Sequence, residues 1–67
     1  FAERLPLLTE RERDVMEQAV KGRSSKMIAK HLDISPRTVE VHRSHLLDKL
    51  AVDSIAELIY LVGGRRA

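Results

Sequence analysis

Only three residues, Asp33-Ile34-Ser35, stand between a helical pattern ending at Leu32 and the Ser35-Pro36 pair that opens the next helix. That spacing constrains the fold more than any other feature of the chain. Three residues are too few for a wandering loop, but they suit the tight corner between two crossed helices. Serine caps a helix through its side-chain oxygen, and proline suits the first helical position, where its missing amide has no partner to lose. Ile34 is expected to plug the corner from inside. Ahead of the corner, a second helix starts near Ser24 or Ser25. Its apolar face is Met27, Ile28 and Leu32, with Ala29 where a neighbouring helix could approach closely.

The rest of the chain is punctuated in the same manner. Thr9-Glu10-Arg11-Glu12 forms a capping box, in which Thr9 and Glu12 each accept the other's backbone amide. Val15, Met16, Ala19 and Val20 follow as a buried stripe, and Gly22 can take the left-handed conformation that stops this first helix. The third helix runs from Ser35-Pro36 to about Leu50. Ala51-Val52-Asp53 joins it to a fourth, which carries its own box at Ser54-Ile55-Ala56-Glu57 and ends at Gly63-Gly64. Residues 1–8 show no period and read as a linker end or N-terminal arm; residues 9–64 form the domain, and 65–67 a tail. The fold class is all-α, a compact four-helix helix-turn-helix domain.

Composition narrows what such a fold can do. With 67 residues and no cysteine, stability must come from helix packing alone, helped by a partner subunit if one exists. No apolar run has the length of a membrane span, and no segment resembles a cleavable signal, so the expected location is the cytoplasm. The net charge is only +2, but its distribution is uneven. Glu3, Glu10, Glu12, Asp14 and Glu17 outnumber three arginines early in the chain. Lys21, Arg23, Lys26, Lys30, Arg37, Arg43 and Lys49 then outnumber Asp33, Glu40 and Asp48. A basic middle segment fits a localised anion-binding surface, and equally an ordinary solvated helix surface.

The third helix separates these readings. At about 100° per residue, Val39, Leu46 and Leu50 share a core face with His42 at its margin. Arg37, Glu40, Val41, Ser44 and Asp48 lie opposite. An exposed valine there can meet a thymine methyl, Glu40 can accept from cytosine N4, and Arg37 can reach phosphate or guanine. Arg37, Glu40, Val41 and Ser44 are therefore the expected base contacts in double-stranded DNA. Thr38, His45 and Lys49 on the flank, with Lys26 on the second helix, are expected at phosphates. Arg43, towards the other flank, either clamps a phosphate or pairs with an acid of the first helix. Helix four carries more apolar residues than one core-facing stripe needs, and Leu58 and Leu61 are expected to meet a second subunit, the alternative being that the whole helix packs into its own domain.

Leu8-Thr9-Glu10-Arg11-Glu12, Lys26-Met27-Ile28-Ala29 and Ser35-Pro36-Arg37-Thr38-Val39-Glu40-Val41-His42-Arg43 together resemble the LuxR-type helix-turn-helix. The last run is most similar to the FixJ/NarL branch of response-regulator output domains, and the resemblance covers Leu8 to about Val62. It implies a third helix in the major groove, base contacts at Glu40, Val41 and Ser44, backbone contacts at Lys26, Thr38 and Lys49, and a homodimer through helix four. It also implies a phosphorylated receiver domain upstream in the full-length chain. Some relatives carry lysine where this chain has Glu40 and Ser44, which lowers the expected phosphate affinity and leaves the operator sequence open.

Other functions are weaker fits. No convergent catalytic groups or phosphate-cradling loop point to an enzyme, and no cofactor is expected. His42 and His45 lie one turn apart, but two histidines make a poor zinc site. The serious rival is a protein-interaction module whose third helix docks a partner such as an RNA polymerase subunit. A second variant keeps DNA binding but places a quorum-sensing ligand domain, rather than a receiver, upstream.

Overall fold

A computed structural model describes residues 2–63 of the chain. Among them a 3-10 helix, Ala2–Leu7, precedes α1 (Glu10–Val20), α2 (Ser25–Leu32), α3 (Pro36–Leu50) and α4 (Ile55–Gly63), with no strand. Phe1, Gly64 and the expected tail lie outside the described residues.

The segment expected to be a linker end or arm packs onto α3 as a 3-10 helix. Its period of three residues per turn puts Leu5 and Leu8 on one edge, a spacing that a search for 3.6-residue periodicity passes over. Leu8 is buried in the core, Leu5 packs against it, and the Leu8 amide donates to the Leu5 carbonyl at 3.1 Å.

Caps set the ends of the helices. Thr9 and Glu12 make both halves of the capping box: the Glu12 amide donates to Thr9 Oγ1 at 3.1 Å, and the Thr9 amide donates to Glu12 Oε1 at 3.0 Å. Gly22, at φ +84°, turns the chain out of α1 as expected. Ser24 and Ser35 cap α2 and α3. Ser54 Oγ accepts the Glu57 amide at 3.1 Å, and this is the half of the fourth helix's box that is present among the described hydrogen bonds.

The corner between α2 and α3 turns on Asp33, whose φ of 59° is left-handed. Asp tolerates that region better than most residues. Asp33 and Ile34 both donate their amides to the Ala29 carbonyl, and Ile34 packs against the core as the plug of the corner.

α1 and α2 both pack on α3, and α4 packs on α1. Val15, Ile28, Val39, Leu46, Leu50 and Leu58 are the largest fully buried side chains. Each is worth about 1.5–3 kcal/mol when removed from water. Two expectations change here. Met27 is exposed rather than on the apolar face of α2, because the core direction runs through its neighbours Ile28 and Ala29. Leu58, expected at a subunit interface, is 0% exposed inside its own domain. The packing of α4 on α1 turns that leucine inward, so it cannot meet a partner.

Candidate nucleic-acid interface

α3 presents the two faces that its sequence spacing implies. Val39, Leu46 and Leu50 are buried, and His42 is half-buried at their margin. Arg37, Glu40, Val41, Ser44 and Asp48 are all exposed, with Val41 at 46%. These residues recur at three- and four-residue spacing, so they form one continuous stripe along the helix. Pro36 and the Ser35 cap start α3 immediately after the corner, which leaves its first turn, with Arg37, at the exposed end. Thr38 is half-buried, and its hydroxyl lies 2.9 Å from Ser35 Oγ. Lys26 is exposed in the first turn of α2.

The remaining basic residues of α3 behave differently. Lys49 Nζ donates to Glu12 Oε1 at 2.7 Å, joining the last turn of α3 to the first turn of α1. His45 Nδ1 stands 3.8 Å from Glu12 Oε2, an ion pair whenever the ring is protonated. The Glu12 side chain is only 4% exposed. Burial on its own pushes its carboxyl up, but the Lys49 hydrogen bond, the Thr9 amide and the Lys49 charge outweigh burial and hold it below its ordinary value of 4.5. Sequence spacing alone puts Lys49 on a phosphate-facing flank; in the folded domain its ammonium already has a carboxylate partner. Nothing local in the sequence links residues 12 and 49.

Arg43 reaches neither an acid of α1 nor open solvent alone. Its Nη1 donates to Ser25 Oγ at 2.9 Å, and the Ser25 hydroxyl in turn donates to Glu40 Oε2. Ser25, at the start of α2, thus belongs to the same surface as the stripe on α3. Sequence reasoning missed it, because it is 15 residues from Glu40 and looks like a cap neighbour.

On α4 the exposed residues are Ala56, Glu57, Ile59, Tyr60 (65%), Val62 and Gly63, while Leu61 is half-buried against the core. Ala56, Ile59, Tyr60 and Gly63 follow the three-four spacing of one helix face. The exposed apolar part of this face is Ile59 and Tyr60, with the half-buried Leu61 beside it.

Comparison with known proteins agrees with the helix-turn-helix geometry. Residues 6–62 match the family described as bacterial regulatory proteins, luxR family. The chain is 47% identical over 61 residues to the transcriptional regulatory protein FixJ of Bradyrhizobium diazoefficiens, covering 91% of this chain and 30% of that protein. It is 49% identical over 63 residues to FixJ of Rhizobium meliloti, covering 91% and 31%. Against the nitrate/nitrite response regulator protein NarL of Escherichia coli K12 it is 46% identical over 50 residues, covering 75% and 23%. The chain spans less than a third of the length of these relatives.

Proposed function

The chain belongs to the luxR family of bacterial regulatory proteins, and from that premise we propose that it binds double-stranded DNA sequence-specifically, with α3 in the major groove. The observation that carries this reading is the exposed stripe Arg37–Glu40–Val41–Ser44 on a helix whose other face is buried, set behind a tight corner from α2. Such a helix can enter a groove about 12 Å wide and bring its N-terminal residues to base edges. Arg37, Glu40, Val41 and Ser44 are the base-facing set, and Lys26, Thr38 and Arg37 are the nearest candidates for phosphate. His45 is exposed at the rim, and Arg43 there already donates through Nη1 to Ser25. Lys49 would have to leave Glu12 to join them.

The domain works as a dimer through the Ile59–Tyr60 face of α4, as the output domain of a longer cytoplasmic response regulator whose upstream receiver controls pairing. The name of the NarL relative, a response regulator protein, and the greater length of both relatives support the place of this domain in a longer regulator. Contact with RNA polymerase is compatible with the surface left free when α3 is in the groove.

The test is selection from a randomised duplex pool, followed by titration of enriched and scrambled duplexes at two salt concentrations. Two related half-sites about one helical turn apart are expected, with affinity falling steeply as salt rises. A single unpaired half-site would remove the dimer. Val41→Asp is expected to reduce the preference for the enriched duplex over the scrambled one by about 5- to 100-fold, the range for one disturbed base contact, with the fold intact by circular dichroism. Undiminished preference in that variant would mean that another face enters the groove. Binding that is weak and insensitive to salt would favour a protein-docking role for α3.

A further inference from the structure

We propose that Ser25, a residue of α2, determines base specificity by positioning the Glu40 carboxylate on α3. The proposal rests on the DNA-binding reading and adds to it a residue outside the recognition helix.

The polarity of the hydrogen bonds is the core of the argument. A guanidinium has donors and no acceptor, so in the 2.9 Å contact between Arg43 Nη1 and Ser25 Oγ the arginine must donate. A serine hydroxyl has one hydrogen. That hydrogen goes to Glu40 Oε2. The relay Arg43 to Ser25 to Glu40 therefore has one direction, with a charged group at each end, and hydrogen bonds to charged groups are the stronger class. Ser25 Oγ is polarised by the cation at the moment it donates to the anion.

This arrangement does two things for a glutamate in a DNA groove. It uses one side of Oε2 and leaves Oε1 open, so the carboxylate can still accept from a base amino group. It also brings the Arg43 charge near a carboxylate that must enter a groove flanked by phosphates. Without the hydroxyl, Arg43 is three residues along the same helix and can pair with Glu40 directly. The carboxylate would then swing along α3, away from the orientation that Ser25 holds. The Glu40 side chain is exposed and has no other hydrogen-bond partner among the described residues, so among them Ser25 is what fixes its rotamer.

The experiment compares the 67-residue chain with Ser25→Ala, Ser25→Thr and Glu40→Gln in selection from the randomised pool. Competition titrations then follow at each base pair of the enriched site. Glu40→Gln identifies the pair that Glu40 reads. At that pair, a discrimination of about 5- to 100-fold in the unaltered chain is expected to fall to about twofold in Ser25→Ala. Ser25→Thr, which keeps the hydroxyl, is expected to restore most of it. Preference at the other pairs and affinity for scrambled duplex should stay within about twofold, the scatter of distant additive sites. Full discrimination in Ser25→Ala at the pair that Glu40→Gln relaxes would overturn the positioning role and leave DNA binding standing. Equal loss at every pair would overturn it too, by making Ser25 a phosphate contact or a structural residue. If Glu40→Gln relaxes no pair, Glu40 reads no base and the proposal falls. The absence of any enriched motif for the unaltered chain would instead remove the DNA-binding reading beneath it.

Discussion

Two polar clusters tie α3 to its neighbours, built from nearly the same chemistry and set in opposite surroundings. At the C-terminal end of α3, Lys49 meets Glu12 of α1 at 2.7 Å, with the carboxylate 4% exposed and held again by the Thr9 amide. Nearer the middle of α3, Arg43 and Glu40 meet through Ser25 of α2, and Glu40 is exposed. Each cluster joins one cation and one carboxylate through α3. The difference is water. A buried carboxylate must keep its partners, because their loss leaves a charge that water cannot reach. An exposed one can trade its partners for water at little cost, so its geometry is free to serve recognition. The first cluster belongs to the architecture and the second to the surface that α3 presents.

The largest effect that could break this comparison is at Glu12. Glu12→Ala removes half of a capping box and the counter-charge of Lys49 at once. Breaking a buried pair costs about 3–5 kcal/mol, but the Lys49 side chain is 35% exposed and can regain some hydration. The expected loss is about 2–3 kcal/mol, or a fall in thermal midpoint of about 10–20 °C for a domain of this size. Thermal unfolding followed by circular dichroism measures it. A change of only a few degrees would mean that the pair is as dispensable as a surface bridge, and the contrast between the clusters would collapse.

Acid sharpens the same point with a smaller effect. The Glu12 carboxyl is held below its ordinary value of 4.5 despite its burial. A depressed carboxyl contributes stability that is fully present above the unfolded value and is lost as pH falls through the folded value. Stability should therefore decline as the pH drops below about 4.5, with part of the decline traceable to this one group. Glutamine can still serve the capping box, so Glu12→Gln should fold, lose about 1 kcal/mol at neutral pH, and show a flatter acid limb. Parallel acid limbs for the two proteins would place the linked proton elsewhere.

The contrast between the clusters also explains what was legible in the sequence. Thr9 with Glu12, Ser35 with Pro36, and Gly22 act on residues within one turn of themselves, so their roles could be read from spacing alone. The α3 stripe was legible for the same reason, since a single helix fixes which residues share a face. The partners of Glu12 and Glu40 were not, because Lys49 and Ser25 reach them only after three helices have packed. Seen in one dimension, Lys49 and Lys26 are equally solvated lysines. Only the docking of α1 on α3 distinguishes them. Leu58 shows the same limit: the composition of α4 implies a surplus of apolar surface, but the angle at which α4 lies on α1 decides which leucine is surplus. The segment before Thr9 escaped for a different reason, its three-residue period being too short to register as a helix.

The smallest expected effect completes the comparison from the exposed side. Ser25→Ala removes the hydroxyl joining Arg43 to Glu40, but all three side chains can turn to water or to each other. The cap of α2 is Ser24, which accepts the Met27 amide, so losing the Ser25 hydroxyl leaves the helix capped. The thermal midpoint of Ser25→Ala should therefore lie within about 3 °C of the unaltered chain, corresponding to no more than about 0.5 kcal/mol. This variant is thus a clean probe of recognition, since a change in base preference without a change in stability cannot come from a loosened fold. A loss approaching that of Glu12→Ala would reverse the assignment. It would mean that the Ser25 relay sets the angle between α2 and α3, and that the helix-turn-helix corner depends on it as much as on the Asp33 turn.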